Sequence, residues 1–75
     1  SGGAHAREAL TLRLRLIDGV DLDDFAAQWE FDPRRHLARQ IETLVADGLL
    51  RDEAGRLALT SRGLLLSNEA FARIL

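Results

Sequence analysis

The stretch from Gly48 to Thr60 constrains the fold more than any other part of the chain. Leu49-Leu50-Arg51-Asp52 and Arg56-Leu57-Ala58-Leu59 read as two short strands, turned through Glu53-Ala54-Gly55, where Gly55 supplies the positive φ of a tight turn. Two strands alone are marginal in water, so the hairpin must lean on helices. Upstream, Asp32 is a good N-cap, and Pro33 falls at the first helical position, where its missing N–H costs nothing. Leu37, Ile41, Leu44 and Val45 then give one helix its buried stripe, and Asp47-Gly48 stops it. Downstream, Thr60 caps a last helix in which Leu64, Phe71, Ile74 and Leu75 share a side. Gly63 near its start permits close packing, and Leu65 and Leu66 lie off the stripe.

The N-terminal half is harder to read. Leu10, Leu12, Leu14 and Leu16 alternate with Thr11, Arg13 and Arg15, the period of a half-buried strand. At helical spacing Ala6, Leu10, Leu14 and Ile17 form one stripe, which Leu12 and Leu16 widen until only Arg13 fits it poorly. Ala, Leu, Arg and Glu are strong helix formers, and β-branched and aromatic residues are scarce here, so a helix over residues 4–17 is expected, stopped at Asp18-Gly19. Asp21 and Asp24 then open a second, short helix as a capping-box-like pair. Leu22, Phe25, Ala26 and Trp29 form its apolar spacing, with Phe25 and Trp29 expected in the core, and it ends near Glu30. The expected fold is mainly α: a winged-helix-like three-helix core with a short β-hairpin wing and a C-terminal helix.

Composition closes off several kinds of chemistry. Seventy-five residues hold one domain. There is no cysteine, hence no disulfide, zinc–thiolate site or iron–sulfur cluster made by this segment. His5 and His36 belong to no ligand motif, and the acidic cluster Asp18, Asp21, Asp23 and Asp24 reads as caps and a solvated loop. Catalytic, cofactor-binding and metal residues are therefore expected to be absent. No apolar run approaches a membrane span and nothing resembles a signal peptide, so a cytoplasmic protein is expected. Ser1-Gly2-Gly3 reads as a cloning remnant ahead of a domain over residues 4–75, cut from a longer protein.

Two surfaces remain as candidates. Leu12 and Leu16 in the first helix, with Leu65 and Leu66 in the last, exceed what one small core can bury and mark a contact with a larger neighbouring domain. The alternative is a free-standing winged-helix module that binds DNA or another protein. Its face would be Arg34, Arg35 and Arg39 on the third helix, with Arg51 and Arg56 on the wing. Glu42, Asp47, Asp52 and Glu53 interrupt that face and the net charge is −2, which weighs against nucleic acid.

Two runs carry a family resemblance. LTLRLRLIDGVDLDDFAAQW, with its Gly19-Val20-Asp21-Leu22 turn, resembles the opening of the C-terminal domain of oxygen-independent coproporphyrinogen III oxidase-like proteins. GLLRDEAGRLALTSRGLLLSNEAFARIL resembles that family's ending, and its Leu-Leu-Ser-Asn-Glu-x-Phe portion looks closer to the haem chaperone branch than to the oxidases. The resemblance implies an upstream radical-SAM barrel that holds a [4Fe-4S] cluster on a Cys-x3-Cys-x2-Cys motif and binds S-adenosylmethionine. Through that barrel it implies oxidoreductase chemistry on coproporphyrinogen III in haem biosynthesis, or the binding and delivery of haem. This domain would then be an accessory lid, with no ligand residue assignable to it.

Overall fold

In the computed structural model, which describes residues 2–16 and 19–75, six helices surround a three-stranded antiparallel sheet. The first helix, α1 (Gly2–Leu14), leads to a two-residue strand β1 (Val20–Asp21) and then to α2 (Leu22–Trp29). Two further helices, α3 (Pro33–His36) and α4 (Ala38–Ala46), precede the hairpin β2 (Leu50–Glu53) and β3 (Arg56–Leu59); α5 (Ser61–Leu65) and α6 (Ser67–Ile74) follow it. The sheet order is β1-β3-β2, so the hairpin is the wing and α2–α4 the helix-turn-helix portion of the expected mainly α, winged-helix-like arrangement. Gly2 and Gly3 lie inside α1. Ile17 and Asp18, which the sequence places in the apolar stripe and in the stop that follows it, lie outside the described residues.

The alternating leucines of α1 resolve into two stripes. Leu10 and Leu14 are buried with Ala6, whereas Leu12 and Leu16 are 64% and 59% exposed. At 3.6 residues per turn a step of two rotates by about 200°, so the second pair falls opposite the first. Leu12 and Leu16 therefore do not widen the buried stripe. Thr11, the one buried polar residue among those described, donates its hydroxyl to the Glu8 carbonyl at 2.7 Å.

The caps are where the sequence puts them. Asp21 accepts from the N–H groups of Asp23 and Asp24 at 3.0 and 3.1 Å, and Asp32 from that of Arg34 at 3.0 Å, with Pro33 opening α3. Thr60 accepts from the Gly63 N–H at 2.9 Å and donates to the Gly48 carbonyl at 2.5 Å, which ties the start of α5 to the end of α4. The wing turns through Ala54 and Gly55, both at positive φ, with Glu53 opposite Arg56, as a two-residue hairpin loop requires. A Cβ on Gly63 would lie 2.0 Å from the Leu49 carbonyl oxygen, so the close packing expected there holds.

Several sequence expectations need correction. The helix expected after Asp32 is two helices, because Leu37 leaves helical geometry at φ −124°, ψ 23° to bury its side chain. Val45 is exposed, not part of the buried stripe, which is Ile41 and Leu44. The last helix breaks in the same way at Leu66 (φ −110°, ψ 32°). That break puts Ala70, Phe71 and Ile74 inside and leaves Leu64 and Leu75 exposed. Trp29 is 37% exposed: it stacks on the buried Phe25, ring centroids 6.1 Å apart, at the edge of the core. The strand β1, which pairs Val20 with Leu57 and Asp21 with Arg56, was not expected from the sequence.

Candidate functional site

Three of the candidate leucines lie on α1, its C-terminal continuation and α5, and the fourth, Leu66, lies at the break after α5. Leu12 and Leu16 line a groove of about 470 Å³ between α1 and the end of α2, together with His5, Arg13 and Trp29. Arg13 donates to the Gln28 side chain at 2.8 Å across this groove, holding α1 to α2. Leu16 also lines a second, smaller cleft of about 220 Å³, whose other walls include Leu64 and Leu59. Because Leu16 belongs to both, Trp29, Leu12, Leu16 and Leu64 form an exposed band from α2 across α1 to α5, apolar along the first cleft and interrupted in the second by Arg15, Arg51 and Ser61. Leu65, on the same short helix, is 86% exposed, and Leu66 at the helix break is partly exposed. Sequence reasoning singled out Leu12, Leu16, Leu65 and Leu66 but missed Trp29 and Leu64. Both were assigned to buried stripes, because helical spacing shows which residues share a side and not where a helix breaks.

The band is held up from beneath by specific contacts. The Arg15 guanidinium lies 5.0 Å from the centroid of Phe71, whose side chain is buried in α6. Gly63 lets α5 press against Leu49, so the adjacent Leu64 and Leu65 are displayed by a helix that cannot retreat further. Arg73 on α6 pairs with Asp47 at 2.7 Å and with Glu69 at 3.5 Å, fixing α6 against the end of α4.

The arginine face is built differently. Arg34 forms an ion pair with Asp23 and lies 3.7 Å from Asp32, and its hydrogen bond to Asp23 raises its pKa above the ordinary arginine value. On the wing, Arg51 pairs with Glu53 at 3.1 Å, and Arg56 is also engaged. Arg35 and Arg39 are exposed. The groove between α4 and the wing is lined by Glu42 and Asp52 as well as Arg34, with Ala38, Ile41 and Val45 between them. Acidic groups at that position repel phosphates.

Among the described residues no three His, Cys, Asp or Glu side chains converge, and no helix is long and apolar enough to cross a membrane. His36 stacks on Phe31 with ring centroids 4.7 Å apart, and His5 is exposed at the edge of the α1 groove.

Comparison with known proteins agrees with the resemblance carried by the two runs. No curated protein and no solved structure matches the chain. A family model described as the HemN C-terminal domain matches residues 3–66, which is most of its length and includes both hairpin strands and α5. The Ser67-Asn68-Glu69 portion of the ending lies beyond the matched residues. On the strength of that match, this chain belongs to the HemN C-terminal domain family.

Proposed function

We propose that this domain is the accessory lid of a longer HemN-like protein, docked on the domain upstream of it, with no catalytic group of its own. The observation that carries this reading is the set of exposed apolar side chains Trp29, Leu12, Leu16 and Leu64, with Leu65 beside them. A tethered domain needs little affinity to stay docked. A short linker gives an effective concentration in the millimolar range, so roughly 4 kcal/mol of favourable contact is enough for half occupancy. Burying one leucine side chain is worth about 1.5–3 kcal/mol before association costs, so several leucines reach that threshold.

In this reading the upstream domain is a radical-SAM barrel that handles a tetrapyrrole, either converting coproporphyrinogen III or carrying haem, in the cytoplasm. A [4Fe-4S] cluster requires cysteine thiolates and this chain has none, so its residues do not fit the cluster. Cluster and S-adenosylmethionine are assigned to the barrel, and the part played here is steric: covering one side of it with apolar surface. The winged-helix topology alone also suits DNA binding, but the carboxylates on Arg34 and Arg51 and in the α4–wing groove count against it.

Hydrogen exchange tests the docking. Amides of α1 and α5 should exchange more slowly in the full-length protein than in this 75-residue chain, and Leu12→Asp should abolish the difference. Equal exchange in both would remove the docking reading. The parentage has its own test: about four irons and four sulfides per full-length chain purified without oxygen are expected, and none after reconstitution would end the radical-SAM assignment.

A further inference from the structure

The groove between α4 and the wing, about 450 Å³, plays no part in the docking band. Ala38, Ile41 and Val45 line it at helical spacing along α4, with Ile41 buried and Val45 39% exposed. Glu42 flanks this aliphatic stripe on the α4 side and Asp52 on the β2 side. Neither carboxylate forms an ion pair among the described residues. Arg34, which also lines the groove, is already held by Asp23 and Asp32, and Arg35 and Arg39 do not line it. The groove is therefore apolar along its length and acidic at both sides.

Its place on the wing separates it from the band. Arg51 lines the cleft between α1 and α5, and Asp52, the next residue of β2, lines this groove. Successive side chains of a strand face opposite sides, so the groove opens on the other face of the wing. A domain docked over Leu12, Leu16 and Leu64 leaves it uncovered.

We propose that this groove binds a basic amphipathic helix of a separate protein. Apolar side chains of that helix lie along Ala38, Ile41 and Val45, and a lysine or arginine on each flank meets Glu42 and Asp52. A wholly apolar segment would take two unpaired carboxylates out of water, and an acidic one would meet like charge. A helix supplies an apolar stripe with cations on both sides of it, which an extended segment, with two opposed faces, does not. The choice of a separate protein rests on the docking reading; the chemistry of the groove does not.

The probe is a designed helical peptide of about 18 residues, with leucines on one stripe and lysines along its edges. Affinity is read by fluorescence anisotropy on the full-length protein, and the site is mapped by NMR on the 75-residue chain. Shifts should centre on Ala38, Glu42, Val45 and Asp52. Glu42→Gln with Asp52→Asn should weaken binding by about 5-fold or more, and salt at about 0.5 M should do the same to wild type. Glu8→Gln with Asp24→Asn, an equal change in net charge outside the groove, should bind as wild type does. Equal losses in the two pairs would reduce the attraction to net charge and overturn the inference, as would shifts centred on Leu12, Leu16 and Trp29 or no shifts at all. Spectra that change with protein concentration alone would give the groove to a second copy of the chain. Binding by the 75-residue chain that is lost in the full-length protein would give it to the upstream domain. Either result overturns the choice of a separate protein. Docking is judged apart from all of these, by the exchange of α1 and α5, which the groove variants should leave unchanged.

Discussion

The two candidate surfaces of this domain look alike in sequence and opposite in structure. Arg34, Arg35, Arg39, Arg51 and Arg56 are a cationic set on the helix and wing that bind DNA in other winged helices. Folding brings Asp23 and Asp32 to Arg34 and Glu53 to Arg51, so much of that charge is met within the domain. Leu12, Leu16, Leu64 and Leu65 receive no such compensation and remain outside the core. Charge at a surface is readily balanced by neighbours a few residues away, whereas an exposed leucine is covered only by another surface. The uncompensated set is the better guide to what the domain does.

The largest effect that separates core from band lies within α2. Phe25 is fully buried and Trp29, one turn later, lies at the band, though the two rings stack. Phe25→Ala should cost about 3–5 kcal/mol, nearly all the stability a domain of this size has, and urea denaturation followed by circular dichroism should find it largely unfolded. Trp29→Ala, which removes a partly buried ring, should cost less, roughly 2 kcal/mol from lost burial and ring contact together, and should leave the isolated chain folded. Equal losses would place Trp29 in the core and shorten the band.

Next in size is Gly63→Ala. A Cβ would reach the Leu49 carbonyl, so α5 must move outward, at a cost of about 1–3 kcal/mol in the same denaturation experiment. The sequence foretold this close packing, and it also foretold the caps at Asp21, Asp32 and Thr60 and the wing turn at Gly55. These features are legible because each depends on one residue type at one backbone position. The breaks at Leu37 and Leu66 were not legible. Both leucines are ordinary helix formers, and both leave helical geometry where the chain changes direction between packed segments, a tertiary effect that outweighs local propensity. Losing those breaks misplaced Val45 and Leu64, and with Leu64 one end of the band. The two-residue β1 escaped because Val20-Asp21 carries no alternation; its pairing with β3 depends on α1 and α2 delivering it there.

Asp32→Ala should cost about 1 kcal/mol, the usual worth of an N-cap, read as a shift in the urea midpoint. The same variant probes the arginine face, since Arg34 would lose Asp32 and keep its ion pair with Asp23. Wild type should bind duplex DNA no more tightly than about 10⁻⁴ M at physiological salt, the weak end of non-specific affinity, as measured by fluorescence anisotropy. Sequence-selective binding at submicromolar concentration would reverse the comparison, making the arginine face the working surface.

The smallest expected effect on stability is the most informative about function. Leu65 is 86% exposed, so Leu65→Ser removes almost no buried area and should change the stability of the isolated chain by no more than about 0.5 kcal/mol. In the full-length protein the same change should raise the exchange rate of the α5 amides, because a serine hydroxyl would be taken from water against an apolar partner. A variant silent in the isolated chain and active in the full-length protein is the signature of a side chain whose partner lies on another domain. If Leu65→Ser destabilises the isolated chain instead, α5 packs more tightly on its own domain than its exposure implies, and the band ends at Leu64.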